Sequence, residues 1–203
     1  MYGSVREISG ALPIAELASR SGLKGCILPA VSANEASEYD GVEIYGVTSL
    51  EQVLEILGGE EDCTDLLIRR SACDEADSNG DYMDFSEIIG QEGAKRGVEI
   101  AAAGNHNVIL IGSPGSGKSS LARAMAGILP PMCREQALQT SKIYSVAGIG
   151  NASGGLIRKR PFRSPHYSAS VAALIGGGSD NIMPGEISLA HNGILFADEF
   201  CET

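Results

Sequence analysis

Tryptophan is absent from this sequence, and phenylalanine and tyrosine together make up only 5% of it. A core built from such a chain must rest on aliphatic and alanine packing rather than on large rings. No apolar run approaches the roughly 20 residues that a membrane span needs. The N-terminus also lacks a basic region followed by an apolar core and a cleavage site, so the chain reads as cytoplasmic with no membrane partner. The five cysteines, Cys26, Cys63, Cys73, Cys133 and Cys201, are scattered and never form a CxxC pair, which argues against a disulfide framework or a zinc site. Positive charge is also scarce: the net charge is −11, which disfavours a protein that coats nucleic acid over its whole surface.

The charge that is present is polarised. From Gly59 to Asp84 nine acids (Glu60, Glu61, Asp62, Asp65, Asp74, Glu75, Asp77, Asp81 and Asp84) face two arginines, Arg69 and Arg70. From Gln136 to Ser179 no acid occurs, while Lys142, Arg158, Lys159, Arg160 and Arg163 form a basic island. At 203 residues and 43% hydrophobic content the chain is long enough for one large or two small domains with a buried core. Residues 1–58 alternate helix and strand signals: a helix over Ile14–Arg20, a short strand at Cys26–Leu28, a second at Val42–Tyr45, and a helix capped by Ser49 and stopped by Gly58-Gly59. This small α/β unit is expected to begin upstream of Met1. Residues 59–83 have the composition of an acidic linker. Glu75, Asp77, Asn79 and Gly80 resemble a calcium loop, but Glu87 stands seven positions after the glycine where such a loop needs its bidentate ligand at six.

Residues 84–203 carry the chemistry. A helix over Gln91–Ala103 is followed by Val108-Ile109-Leu110-Ile111, a continuous apolar run of the kind found in a strand buried on both faces. Next comes Gly112-Ser113-Pro114-Gly115-Ser116-Gly117-Lys118-Ser119, with Ser120 directly after it, which satisfies G-x-x-x-x-G-K-[ST] in full. Glycines in that pattern let successive N–H groups converge on phosphate oxygens, and the helix starting near Lys118 adds its positive end. Lys118 is expected to reach the β- and γ-phosphates of ATP, and Ser119 to ligate Mg²⁺. A chance glycine turn with a surface lysine would not need the strand before it and the helix after it. Downstream, Ile194-Leu195-Phe196-Ala197-Asp198-Glu199 can be a second strand that delivers Asp198 to the metal and Glu199 to the attacking water as general base. The fold class expected is α/β, with the parallel-sheet core of a P-loop NTPase. His106 and His191 sit among Asn and Gly residues and read as turn positions.

Taken with their neighbours, these motifs resemble the YifB/ComM family of magnesium-chelatase-like AAA+ proteins. The resemblance runs through Asp84 to Glu92, Glu99 to Asn107, Gly127 to Pro131 and Ile143 to Gly148. It continues through Arg160-Pro161-Phe162-Arg163-Ser164-Pro165-His166, Gly176-Gly177-Gly178, and Pro184 to Gly193. It implies an ATP-hydrolysing motor in the full-length parent: a homo-hexameric ring acting on single-stranded or branched DNA in recombination or natural transformation. The basic residues Arg158, Lys159, Arg160 and Arg163 are the candidate contacts to a phosphate backbone. Alternatives are a magnesium-chelatase ATPase that drives metal insertion into a tetrapyrrole, or a non-catalytic nucleotide-binding fragment. Residues 1–58 resemble the second half of a Lon-protease-like domain, with Leu12 where Lon proteases need lysine, so that domain is expected to be non-proteolytic. Tyr167 and Val171 depart from the family's usual histidine and aspartate. The resemblance places the sensor asparagine, the arginine finger and the helical lid beyond Thr203.

Overall fold

A computed structural model describes residues 4–58, 63–69, 82–150, 155–178 and 182–198. It is a mixed α/β structure with small sheets, and the described residues fall into two compact units, one from 1–74 with 137–157 and the other from 75–136 with 158–203.

In the first unit α1 (Ala11–Arg20) leads to β1 (Gly25–Pro29), α2 (Ala30–Ala36), β2 (Glu43–Val47) and α3 (Leu50–Gly58). Strands β1 and β2 run parallel, with Cys26 opposite Ile44 and Leu28 opposite Gly46. The core is small and aliphatic, as a chain poor in rings requires: Ala11, Ala15, Leu28, Ala33, Ala36 and Ile44 are buried together. Ser49 stands before α3 and accepts a hydrogen bond from the Gln52 N–H at 3.4 Å, the side-chain cap that the sequence suggests. Part of the stretch with linker composition is folded onto this sheet. Cys63–Leu66 forms a 3₁₀ turn, Leu67 bridges Tyr45, and the Ile68 N–H donates to the Ile44 carbonyl at 2.8 Å. The apolar side chain of Ile68 packs on the core, which outweighs the polar composition around it. The acidic residues from Arg70 to Asp81, including those that resemble a calcium loop, lie outside the described residues.

Most of α6 (Arg134–Val146) belongs to this first unit. Lys142 pairs with Glu16 at 2.7 Å and lies over the Tyr39 ring. The Gly10 N–H donates to the Ser145 carbonyl at 3.0 Å.

The second unit contains α4 (Glu92–Gly104), α5 (Lys118–Ile128), β3 (Phe162–Arg163), α7 (Val171–Ile175), β4 (Gly176–Gly177), β5 (Met183–Pro184), α8 (Glu186–Leu189) and β6 (Ile194–Leu195). Ile88, Val98, Leu121 and Ala124 form its core, with Leu110 packed against it. Strands β3 and β6 pair parallel; β4 and β5 pair antiparallel.

Residues 108–111 differ from the expectation of a strand buried on both faces. They form no strand pairing among the described residues, and Ile109 and Ile111 are 86% and 94% exposed. Leu110 alone turns inward. An apolar run is buried on two faces only where neighbours flank it on both sides, and here α4 and α5 supply one face. No helix among the described residues is long and apolar enough to cross a membrane.

Candidate functional site

The loop from Gly112 to Gly117 runs from this extended segment into α5. Gly117 has φ +83°, a left-handed conformation that strains any residue with a Cβ, and it forms the N-cap of α5. The first-turn N–H groups of α5 consequently open onto the loop, where anions are favoured by both hydrogen bonding and the helix dipole. Gly112, Ser113, Pro114 and Gly115 are exposed, while Ser116, Gly117, Lys118 and Ser120 are partly buried.

Lys118 lies across this loop. Its ammonium donates to the carbonyls of Gly112 and Ser113, both at 3.0 Å. A cation held by neutral acceptors at the mouth of an N–H-lined loop can exchange them for phosphate oxygens, which bind it more strongly. From the other side the Gln91 amide donates to the Ser116 carbonyl. Gln91 itself has φ +56° at the N-cap of α4.

Strand β6 brings the acidic element to the same place. The Ser119 hydroxyl and the Asp198 carboxylate lie 3.5 Å apart across 79 residues of chain. That separation is long for a strong hydrogen bond. Both groups are hard oxygen donors, the type that Mg²⁺ takes, so the donor set fits that ion. Glu199 lies outside the described residues.

The basic island divides by partner. Arg158 is exposed. Lys159 sits 3.9 Å from the centroid of the Tyr82 ring. Arg160 donates to the carbonyls of Pro130 and Asn192 (2.7 Å for the latter) and to the Gln136 side chain at 3.3 Å. Arg163 grips Glu186 with two parallel bonds of 2.6 Å, and that hydrogen bonding is the main reason the Glu186 carboxyl titrates below its usual range. Three of the four cations singled out as backbone contacts are thus engaged by the protein itself, and Arg158 is the exposed one. Sequence reasoning missed Gln91, Glu186 and Asn192. Only a backbone signal, Asn followed by Gly, was available for the last. His106 and His191 do lie in turns, their N–H groups donating to Ala101 and Ser188 carbonyls.

A family model described as magnesium chelatase, subunit ChlI, matches residues 84–203, which is more than half of the chain. The chain belongs to that family. The match covers the loop, α5, the Arg160–Arg163 segment and Asp198. YifB of Escherichia coli (strain K12) is 41% identical over 202 residues, covering 100% of this chain and 38% of the relative. Competence protein ComM of Haemophilus influenzae is 39% identical over 204 residues, covering 100% of this chain and 39% of the relative. An archaeal Lon protease of Halobacterium salinarum is 35% identical over 128 residues, 57% of this chain and 16% of that protein. Within the magnesium chelatase family the chain is of the YifB/ComM type, and it spans about two fifths of the length of those relatives.

Proposed function

We propose that this chain is the nucleotide-binding part of a cytoplasmic AAA+ ATPase, with a P-loop core over residues 84–203 preceded by the second half of a non-proteolytic Lon-like domain over 1–58. The observation that carries the reading is the meeting of a complete G-x-x-x-x-G-K-S loop with Asp198 beside Ser119. The N–H groups of Gly115 to Ser120 cradle the phosphates of ATP, and Lys118 leaves the Gly112 and Ser113 carbonyls to hold the β- and γ-phosphates. Ser119 and Asp198 hold Mg²⁺, which when bound offsets the phosphate charge. Glu199 follows directly on Asp198 and takes the proton from the attacking water.

In the parent protein we assign this ATPase to a homo-hexameric motor acting on DNA. The support is the similarity, running the whole length of the chain, to a protein named for competence, and the exposed Arg158 of the basic island. Arg158 is the most open of its cations. A second reading, ATP-driven metal insertion into a tetrapyrrole, draws on the name of the matching family. That match leaves out residues 1–83, whereas the YifB and ComM relatives cover them, and this favours the first.

The test is phosphate release by the full-length parent, with and without single-stranded and branched DNA. DNA should stimulate wild-type turnover. Glu199→Gln should abolish turnover while leaving ATP binding intact. Turnover that ignores DNA would remove the motor assignment, and equal loss of binding and turnover in Glu199→Gln would remove the general-base role.

A further inference from the structure

Two arginines of the basic island act on the nucleotide site rather than on an external polyanion. We infer that Arg160 and Arg163 are positioning residues for Asp198, clamping the strand that carries it. This rests on the reading of Ser119 and Asp198 as Mg²⁺ ligands.

The clamp is built from the segment Arg160-Pro161-Phe162-Arg163, which lies along the approach to Asp198. The Pro161 carbonyl accepts from the Ile194 N–H and the Arg163 carbonyl from the Phe196 N–H, both at 2.8 Å. The rings of Phe162 and Phe196 stack with centroids 6.2 Å apart. These contacts hold the backbone up to two residues before Asp198. Pairing of two residues on each strand is too short to fix a strand alone, so its position depends on what anchors the two ends of the segment.

Arg160 anchors the start. Its guanidinium ties the Asn192 carbonyl, one turn before β6, to the Pro130 carbonyl and the Gln136 side chain, and the Asn192 amide returns a bond to the Gln136 carbonyl at 3.1 Å. Arg163 anchors the other end: its fork on Glu186 ties β3 to the first turn of α8. Arg160 donates from three nitrogens and Arg163 from two to protein acceptors, the Arg163 pair in the geometry that a planar fork suits. A phosphate backbone would have to compete with Glu186 for the Arg163 fork and with three protein acceptors for Arg160.

The readout is the effect of Mg²⁺ on nucleotide affinity, since the loop and Lys118 bind phosphate without the metal whereas Asp198 contributes only through it. A fluorescent ATP analogue is titrated into the chain with and without Mg²⁺, for wild type, Arg163→Ala, Arg163→Lys, Glu186→Gln, and the exchange Arg163→Glu with Glu186→Arg. Wild type should show tightening by Mg²⁺ on the order of tenfold, an ordinary coupling between two ligands. Arg163→Ala and Glu186→Gln should reduce it to about twofold or less while metal-free affinity stays within about twofold. Arg163→Lys and the exchange should restore part of it. The unchanged metal-free affinity guards against simple unfolding. Full Mg²⁺ tightening in Arg163→Ala, or loss of affinity for single-stranded DNA with the Mg²⁺ effect intact, overturns the inference. If wild type binds the analogue with no response to Mg²⁺, the metal-site reading fails first and this inference with it.

Discussion

Glu35 on α2 is a carboxylate in the wrong place for its charge. Burial raises its pKa, the nearby Ser145 hydroxyl works against that rise, and the Glu7 carboxylate adds to it. Between the unfolded value of about 4.3 and the raised folded value, the native state holds more protons than the unfolded one. Stability therefore falls as pH rises through that window and stays reduced at neutral pH. Glu35→Gln should melt higher than wild type at pH 7, with the advantage vanishing by about pH 4. Melting curves at the two pH values check this, and an equal difference at both would show that the carboxylate titrates normally. Glu186 has the opposite sign. Its folded pKa is lowered by Arg163, so its contribution is present above about pH 4.3 and is lost as pH falls through the folded value.

At the scale of elements, β3 and β6 meet with almost no clearance. A Cβ at Gly193 would stand 2.0 Å from the Pro161 carbonyl oxygen and 2.8 Å from its carbon. Neither atom can swing away, because both belong to the backbone that β6 hydrogen-bonds. Gly193→Ala should cost about 2 kcal/mol or more, roughly 4–8 °C in Tm for a chain of this length. Gly97→Ala, within α4 where an added Cβ meets nothing within 4 Å, should gain about 0.5–1 kcal/mol from helix propensity. Equal effects of the two substitutions would refute the close approach. Helices α1, α3, α4 and α5 and strands β1 and β2 were readable beforehand, since each carries its own periodicity, caps or stops; α2 and α6 were not read. Strands of two residues, such as β3, β4 and β5, hold too few side chains to show a period. The loop and Asp198 were readable as motifs. The roles of Arg160 and Arg163 were not, because their partners Asn192 and Glu186 stand 32 and 23 residues away and no local pattern links them. The face of residues 108–111 that stays exposed was illegible for a related reason: an apolar run states what a segment can bury, not which neighbours arrive.

Considered whole, the chain joins an aliphatic α/β unit to one that holds the Gly112–Ser119 loop and Asp198. The chain should bind Mg-ATP through the Gly112–Ser119 loop. Binding is the more direct test of the account, since it needs only the loop, Lys118, Ser119 and Asp198. Calorimetric titration of the chain with ATP in the presence of Mg²⁺ should give saturable binding at one site. Lys118→Ala should weaken it by at least about tenfold, the loss of one charge-assisted hydrogen-bonding group. Wild-type protein that folds but binds no ATP, or Lys118→Ala with unchanged affinity, would contradict the assignment of Gly112–Ser119 as the nucleotide site.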